Sequence, residues 1–156
     1  MKIFYIVVII FLVLNFKVVA DEIKGIPYIT DGDTIKIFKK KIRLHGIDAP
    51  EKKQICIKNN LKYNCGKEAT DALAKKIDGN PVICEVQNKL DRYKRYIGVC
   101  FIGETNLNKW MVRNGYAVAY KKYSRDYIED EDYAKKNKIG LWSGNFINPE
   151  KWRKLN

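Results

Sequence analysis

Three acids and two arginines in this chain stand where they could act together on a phosphate. The segment Arg43-Leu44-His45-Gly46-Ile47-Asp48-Ala49-Pro50-Glu51 ends a strand-like run in two acids, and Asp31-Gly32-Asp33-Thr34 arrives just before it. Pro50 fixes its own φ and biases Ala49 toward extended backbone, so Asp48 and Glu51 are presented in defined directions. Asp33 joins Asp48 if Lys39-Lys40-Lys41 turns one strand back along the next. Two carboxylates at one point, with no cysteine or second histidine beside them, suit a hard divalent cation, Ca²⁺ or Mg²⁺, over zinc or copper. Glu51 is then placed to deprotonate a water, and Arg43 and Arg95 to grip a phosphate and the charge that grows on it. A cation site, a base and two guanidinium groups make a full set for hydrolysing a phosphodiester. Each residue also has a plainer role: Asp-Gly-Asp-Thr is ordinary turn chemistry, Glu51 a solvated loop acid, the arginines salt-bridge partners for Asp91 or Glu51. His45, the one histidine, lacks a partner acid and reads as structural.

The elements that must position these residues follow from periodicity and punctuation. Ile26 to Ile29 reads as a first strand, Thr34 to Phe38 as a second with Ile35 and Ile37 on one face, and Ile42 to Ile47 as a third. Asn64 is placed to cap a helix over Gly66 to Ile77, with Ala69, Ala72, Leu73 and Ile77 on one side, and Asp78-Gly79-Asn80-Pro81 stops it. Val82 to Val86 and Tyr96 to Phe101 are the fourth and fifth strands, joined by Asn88 to Lys94. Asn106 caps a second helix that Gly115 ends, and a third spans roughly 125–137, before Gly140-Leu141-Trp142 and a tail holding Trp152. This order makes an α+β domain whose five short strands can curl into a small barrel of OB type.

The first twenty residues are a different material. A short basic start, an apolar run from Ile3 to Phe16 broken only by Asn15, and Val18-Val19-Ala20 before Asp21 have the form of a signal peptide. The run is shorter than the ~20 residues of a membrane-spanning helix, so residues 21–156 are expected as one exported domain, secreted or periplasmic, with no stable membrane span. The chain holds 30 Lys and Arg against 18 Asp and Glu; the leader carries Lys2 and Lys17 and no acid, which leaves a formal +10 on the rest. Such a charge expects a polyanion: nucleic acid, an anionic membrane or a wall polymer. All four cysteines lie after the leader, and an even count in an oxidising compartment suggests disulfides. A hairpin over 82–102 centred on Arg92 sets Cys84 across from Cys100, which leaves Cys56 for Cys65 around a segment, Ile57 to Asn64, with little structure of its own. A zinc site is the competing use, although no CxxC pair is present.

Taken together, Asp31-Gly32-Asp33-Thr34, Arg43 to Glu51, Gly66-Lys67-Glu68-Ala69, Asp91-Arg92-Tyr93-Lys94-Arg95, Leu107-Asn108 through Gly115-Tyr116-Ala117, and Gly140-Leu141-Trp142 resemble the staphylococcal nuclease (thermonuclease) family, in order along nearly all of residues 21–156. The resemblance implies an OB-fold five-stranded barrel with three α-helices. It also implies a Ca²⁺-dependent nuclease that cuts DNA and RNA to leave 3′-phosphate ends. By motif position it makes Asp33, Asp48 and the carbonyl of Ala49 the calcium ligands, Glu51 the general base, Arg43 and Arg95 the phosphate clamps, and Tyr93 and Tyr120 the residues around the terminal nucleotide. Alanine stands at position 49 where the family's prototype has threonine, a change that a main-chain ligand tolerates. The prototype also lacks cysteines, so the two proposed disulfides are additions. A monomer is expected. The rival reading is a barrel of the same kind that binds nucleic acid without cutting it.

Overall fold

The computed structural model describes residues 21–156; the expected leader at 1–20 lies outside the described residues. Eleven strands, four α-helices and one 3₁₀ turn follow in order. The strands are β1 (Asp21–Gly25), β2 (Tyr28–Asp31), β3 (Thr34–Ile37), β4 (Lys40–Leu44), β5 (Ile47–Asp48), β6 (Ile55–Lys58), β7 (Leu61–Asn64), β8 (Val82–Val86), β9 (Tyr96–Ile102), β10 (Thr105–Asn106) and β11 (Val118–Ala119). The helices are α1 (Cys65–Ile77), α2 (Leu107–Arg113), α3 (Ile128–Lys136) and α4 (Pro149–Leu155), with the 3₁₀ turn at Gly140–Ser143 between the last two.

The main sheet runs β1-β8-β9-β4-β3-β2, with β10 added on β9. Its two outer strands, β1 and β2, are consecutive pieces of chain separated only by Ile26 and Pro27. Pro27 has no N–H to give a ladder, so the strand breaks there and its two halves serve opposite ends of the curled sheet. Counted as one bent strand, β1–β2 makes the expected five around the barrel with β3, β4, β8 and β9. The sequence reading began the first strand at Ile26, the point of the break; the strand in fact starts at Asp21. The turn between β3 and β4 is also earlier than expected, at Phe38-Lys39 rather than Lys39-Lys41, because Ile37 pairs with Lys40.

Side chains fill the barrel as the alternation predicts. Ile35 and Ile37 of β3, Ile42 and Leu44 of β4, and Ile47 of β5 are buried, and Leu73 and Ile77 of α1 and Leu107 and Met111 of α2 cover them. Ala69 and Leu73 are buried on the expected face of α1, which Asn64 caps by accepting from the Lys67 N–H at 2.8 Å. Cys84 and Cys100 sit directly opposite in the β8–β9 ladder and are bonded, as are Cys56 and Cys65. The segment inside the second bridge is more ordered than its composition suggested. It forms the β6–β7 hairpin, with Asn59 and Asn60 both at positive φ, a conformation that Asn tolerates in two-residue turns. The C-terminal tail is likewise a helix, the fourth. Its Asn148 side chain caps the Glu150 N–H at 3.0 Å and Pro149 takes the first position.

Candidate functional site

The β3–β4 hairpin and the corner after it deliver four of the expected site residues to one point. Thr34 pairs with Arg43 across the hairpin, so Asp33 stands beside the end of β4 and its carbonyl accepts the Leu44 N–H at 2.8 Å. Arg43 Nη1 lies 2.6 Å from Asp33 Oδ2, and Arg43 Nη2 lies 3.0 Å from Asp48 Oδ1. Asp33 Oδ2 also accepts the Ala49 N–H at 2.8 Å, which fixes the corner after β5 against the turn before β3. Gly32 permits this approach: a Cβ there would stand 2.8 Å from the Ala49 Cβ and 2.9 Å from the Ala69 Cβ. Asp31, the other acid of the turn, accepts the Asp33 N–H at 3.0 Å, the turn role that its spacing suggested.

Glu51 is positioned through its backbone. Its N–H donates to the Gln54 Oε1 at 3.2 Å, while Gln54 itself is fully buried and donates from Nε2 to the Ile147 carbonyl at 2.6 Å. The first turn of α1 presses on the same loop so closely that a Cβ at Gly66 would fall 1.8 Å from the Glu51 carbonyl oxygen. No side chain larger than hydrogen fits there without moving Glu51.

One residue of this cluster was not expected. Arg153, in α4, donates from Nη1 to Asp48 Oδ1 at 2.9 Å and from Nη2 to Asp48 Oδ2 at 3.0 Å, and Nη1 also meets Glu51 Oε1 at 2.9 Å. The sequence carries a signal for the helix, Asn148-Pro149 as cap and first position, but none for its target, 105 residues away.

Burial raises the Asp48 carboxyl above its ordinary range, with neighbouring Asp33 adding to the effect and the Arg153 and Arg43 contacts opposing it. Asp31 is pushed up to about 6, chiefly by burial and then by Asp33. Burial works against the Arg43 charge, but Asp33, Asp48 and Asp31 outweigh it and hold the group more firmly protonated than usual.

These residues lie along an open groove of about 1180 Å³ whose lining includes Asp33, Arg43, Ala49, Glu51, Arg95, Tyr93 and Tyr120, with Asp48 buried next to Ala49. Arg95 also lines the groove and is bound to Asp91: its Nε and Nη2 each lie 2.9 Å from Asp91 Oδ2. Asp91 Oδ1 accepts the Tyr93 and Arg95 N–H groups as well, and this network keeps the Asp91 carboxyl below its usual range despite the opposing effect of burial. Tyr93 is exposed, with Arg92 and Arg95 at 4.7 and 5.1 Å from its ring centre. Tyr120 packs edge-on against Tyr123 at 4.7 Å, and its hydroxyl is raised by burial and by Asp48. His45 is used through its backbone, donating to the Gly98 carbonyl at 2.8 Å and accepting from buried Asn108 at 2.9 Å. Asn108 also donates to the Gly98 carbonyl and accepts the Cys100 N–H, so it pins α2 to β9 behind the site.

A family profile described as "Staphylococcal nuclease homologue" matches residues 41–144, about two thirds of the chain. The chain belongs to the staphylococcal nuclease family. Curated relatives agree with the family assignment. The "Succinoglycan biosynthesis protein ExoI" of Rhizobium meliloti is 35% identical over 127 residues, covering 79% of this chain and 66% of its own. An "Uncharacterized endonuclease" of Haemophilus influenzae is 36% identical over 134 residues, 81% of this chain and 70% of its own. A "Probable staphylococcal-like nuclease" of Oryza sativa is 35% identical over 125 residues, 78% of this chain but only 30% of its own. The chain thus spans from under a third to about two thirds of these staphylococcal nuclease relatives. The matched interval begins inside β4 and ends at the 3₁₀ turn, so Asp33 and α4 lie outside it.

Proposed function

We propose that this protein is an exported Ca²⁺-dependent nuclease that hydrolyses phosphodiester bonds of DNA and RNA with little sequence preference and leaves 3′-phosphate ends. The observation that carries the reading is the cluster in which Arg43 joins Asp33 to Asp48 and Arg153 joins Asp48 to Glu51, beside one open groove in a chain of the staphylococcal nuclease family. The relatives named as endonucleases support the same activity. Among the described residues no three His, Cys, Asp or Glu side chains form a ready metal cage. The donors fit a hard cation all the same: two carboxylates that Arg43 already bridges and a main-chain oxygen at Ala49 on the same corner, all hard oxygen donors.

In this reading Asp33, Asp48 and the Ala49 carbonyl hold Ca²⁺, which when bound supplies Lewis acidity to a phosphoryl oxygen. Glu51, braced by Gln54, takes a proton from the attacking water. Arg43 and Arg95, each already fixed by carboxylates, retain N–H donors for the phosphate and for the charge that develops on it. The P–O5′ bond breaks and the phosphate stays on the 3′ side. Tyr93 and Tyr120 offer rings to the terminal nucleotide, and base stacking of this kind tolerates any sequence. Two disulfides suit an oxidising compartment, and no helix among the described residues is long and apolar enough to cross a membrane.

Digestion of single-stranded DNA by the purified, oxidised protein with Ca²⁺ and with EDTA, beside Glu51→Gln, tests this. Cutting is expected only with Ca²⁺, and to fall ~10²–10⁴-fold in Glu51→Gln, the usual worth of a placed general base. Tight DNA binding with no cutting under any divalent cation would leave a non-catalytic binding barrel instead.

A further inference from the structure

A divalent cation held by Asp48 needs carboxylate lone pairs free to face it, and Asp48 has few to give. Its Oδ1 accepts from both Arg43 at 3.0 Å and Arg153 at 2.9 Å, and its Oδ2 accepts from Arg153 at 3.0 Å. Three of about four acceptor positions on the carboxylate are therefore taken. Arg153 uses the same guanidinium on Glu51, so one side chain occupies a cation ligand and the base together.

The contact is delivered by built structure. Asn148 caps α4, Pro149 starts it, and the Ile147 carbonyl just before it is held by buried Gln54, the residue that also holds the Glu51 N–H. Charge sharpens the point. Arg43 joins Asp33 to Asp48 and Arg153 joins Asp48 to Glu51, a chain of ion pairs with Asp31 beside Asp33. Arg153 thus sets a positive charge against the carboxylate that a dication would need.

We propose that Arg153 is a third arginine of the site, a positioning residue that holds Asp48 and Glu51 together in the cation-free protein and competes with the divalent cation for Asp48. The proposal rests on the reading of Asp48 as a cation ligand. Competition is reciprocal: by whatever factor Arg153 weakens cation binding, the bound cation weakens the docking of α4.

Calorimetric titration of Ca²⁺ into the full-length protein, without nucleic acid, tests the proposal beside Arg153→Gln and Arg153→Lys. Removing a cationic group from direct contact with a ligand carboxylate is expected to tighten Ca²⁺ about tenfold in Arg153→Gln. Arg153→Lys, which keeps the charge and loses the fork, should fall between. In the wild-type protein, amide exchange across residues 149–155 should quicken when Ca²⁺ is added, a change that a merely structural arginine would not produce. Equal or weaker Ca²⁺ binding by Arg153→Gln overturns the proposal while leaving the nuclease reading intact, and so does exchange in α4 that slows or stays constant. No Ca²⁺ binding by either protein overturns both.

Discussion

A methyl group at position 66 would stand 1.8 Å from the Glu51 carbonyl oxygen, far inside van der Waals contact, so the smallest possible side chain decides where the proposed base stands. Gly66→Ala must push the Glu51 loop outward, and displacement of a reacting group by about 1 Å typically costs ~10²-fold in rate. The expected outcome is a cleavage rate reduced on that order with Ca²⁺ affinity little changed, since Asp33 and Asp48 are held by Arg43 and Asp33 also by the Ala49 N–H. Cleavage kinetics beside Ca²⁺ titration would check the split. At this scale the sequence was readable where function and regularity coincide. Asp33, Arg43, Asp48 and Glu51 sit on a hairpin and a proline-stiffened corner, whose periodicity tells where side chains point. Gln54 and Arg153 sit outside any periodic run, and what fixes them is contact with residues 93 and 105 positions away, which no local spacing encodes.

Helix α3 is tied to β11 through a buried acid. Glu131 is buried; its Oε1 accepts the Ala119 N–H at 3.1 Å from β11, and its Oε2 lies 2.7 Å from Lys121 and 2.6 Å from Lys135. Burial acts to raise its pKa, but the two lysines outweigh it and hold the carboxyl below the ordinary 4.5. A depressed folded-state pKa stabilises the fold above the unfolded value, and that stability is lost as pH falls through the folded value. Glu131→Gln should therefore be less stable than wild type near pH 7 by about 1–2 kcal/mol, a figure discounted because both lysines are partly solvated. The gap should close as pH drops below about 4.5, read from urea midpoints across that range. Elements were legible in proportion to their repeat. Strands β3, β8 and β9 and helices α1 and α2 carry clear apolar alternation or stripes. The β6–β7 hairpin does not, because its strands face solvent with Ile55, Ile57 and Leu61 exposed and gain their order from the Cys56–Cys65 bridge and from paired hydrogen bonds between Ile57 and Asn145. Helix α4 fully buries only Pro149, so no apolar stripe announced it.

Over the whole molecule, seven basic residues gather along the groove, Lys41, Arg92, Lys122 and Lys154 with Arg43, Arg95 and Arg153, against the five acids Asp31, Asp33, Glu51, Asp91 and Glu150. Binding of an oligonucleotide by Glu51→Gln should weaken steeply with salt. Contact with about five phosphates predicts a slope near −3.5 in log affinity against log salt for a single strand. A slope near zero, measured by fluorescence anisotropy over 50–300 mM salt, would show that the charge is not used for the substrate. The closed order of the sheet has a consequence in time as well as in space. Strand β1 lies at the start of the described chain, yet its partner β8 begins at Val82, with the other barrel strands β3 and β4 between them in sequence. A chain that emerges N-terminus first, from a ribosome or through a membrane pore, thus carries Ile23 and its neighbours unpaired until β8 has followed, and the ring can shut only after β9, which joins β8 to β4, is out as well. Non-local closure of this kind slows folding, which keeps the chain threadable until Ile102 has passed.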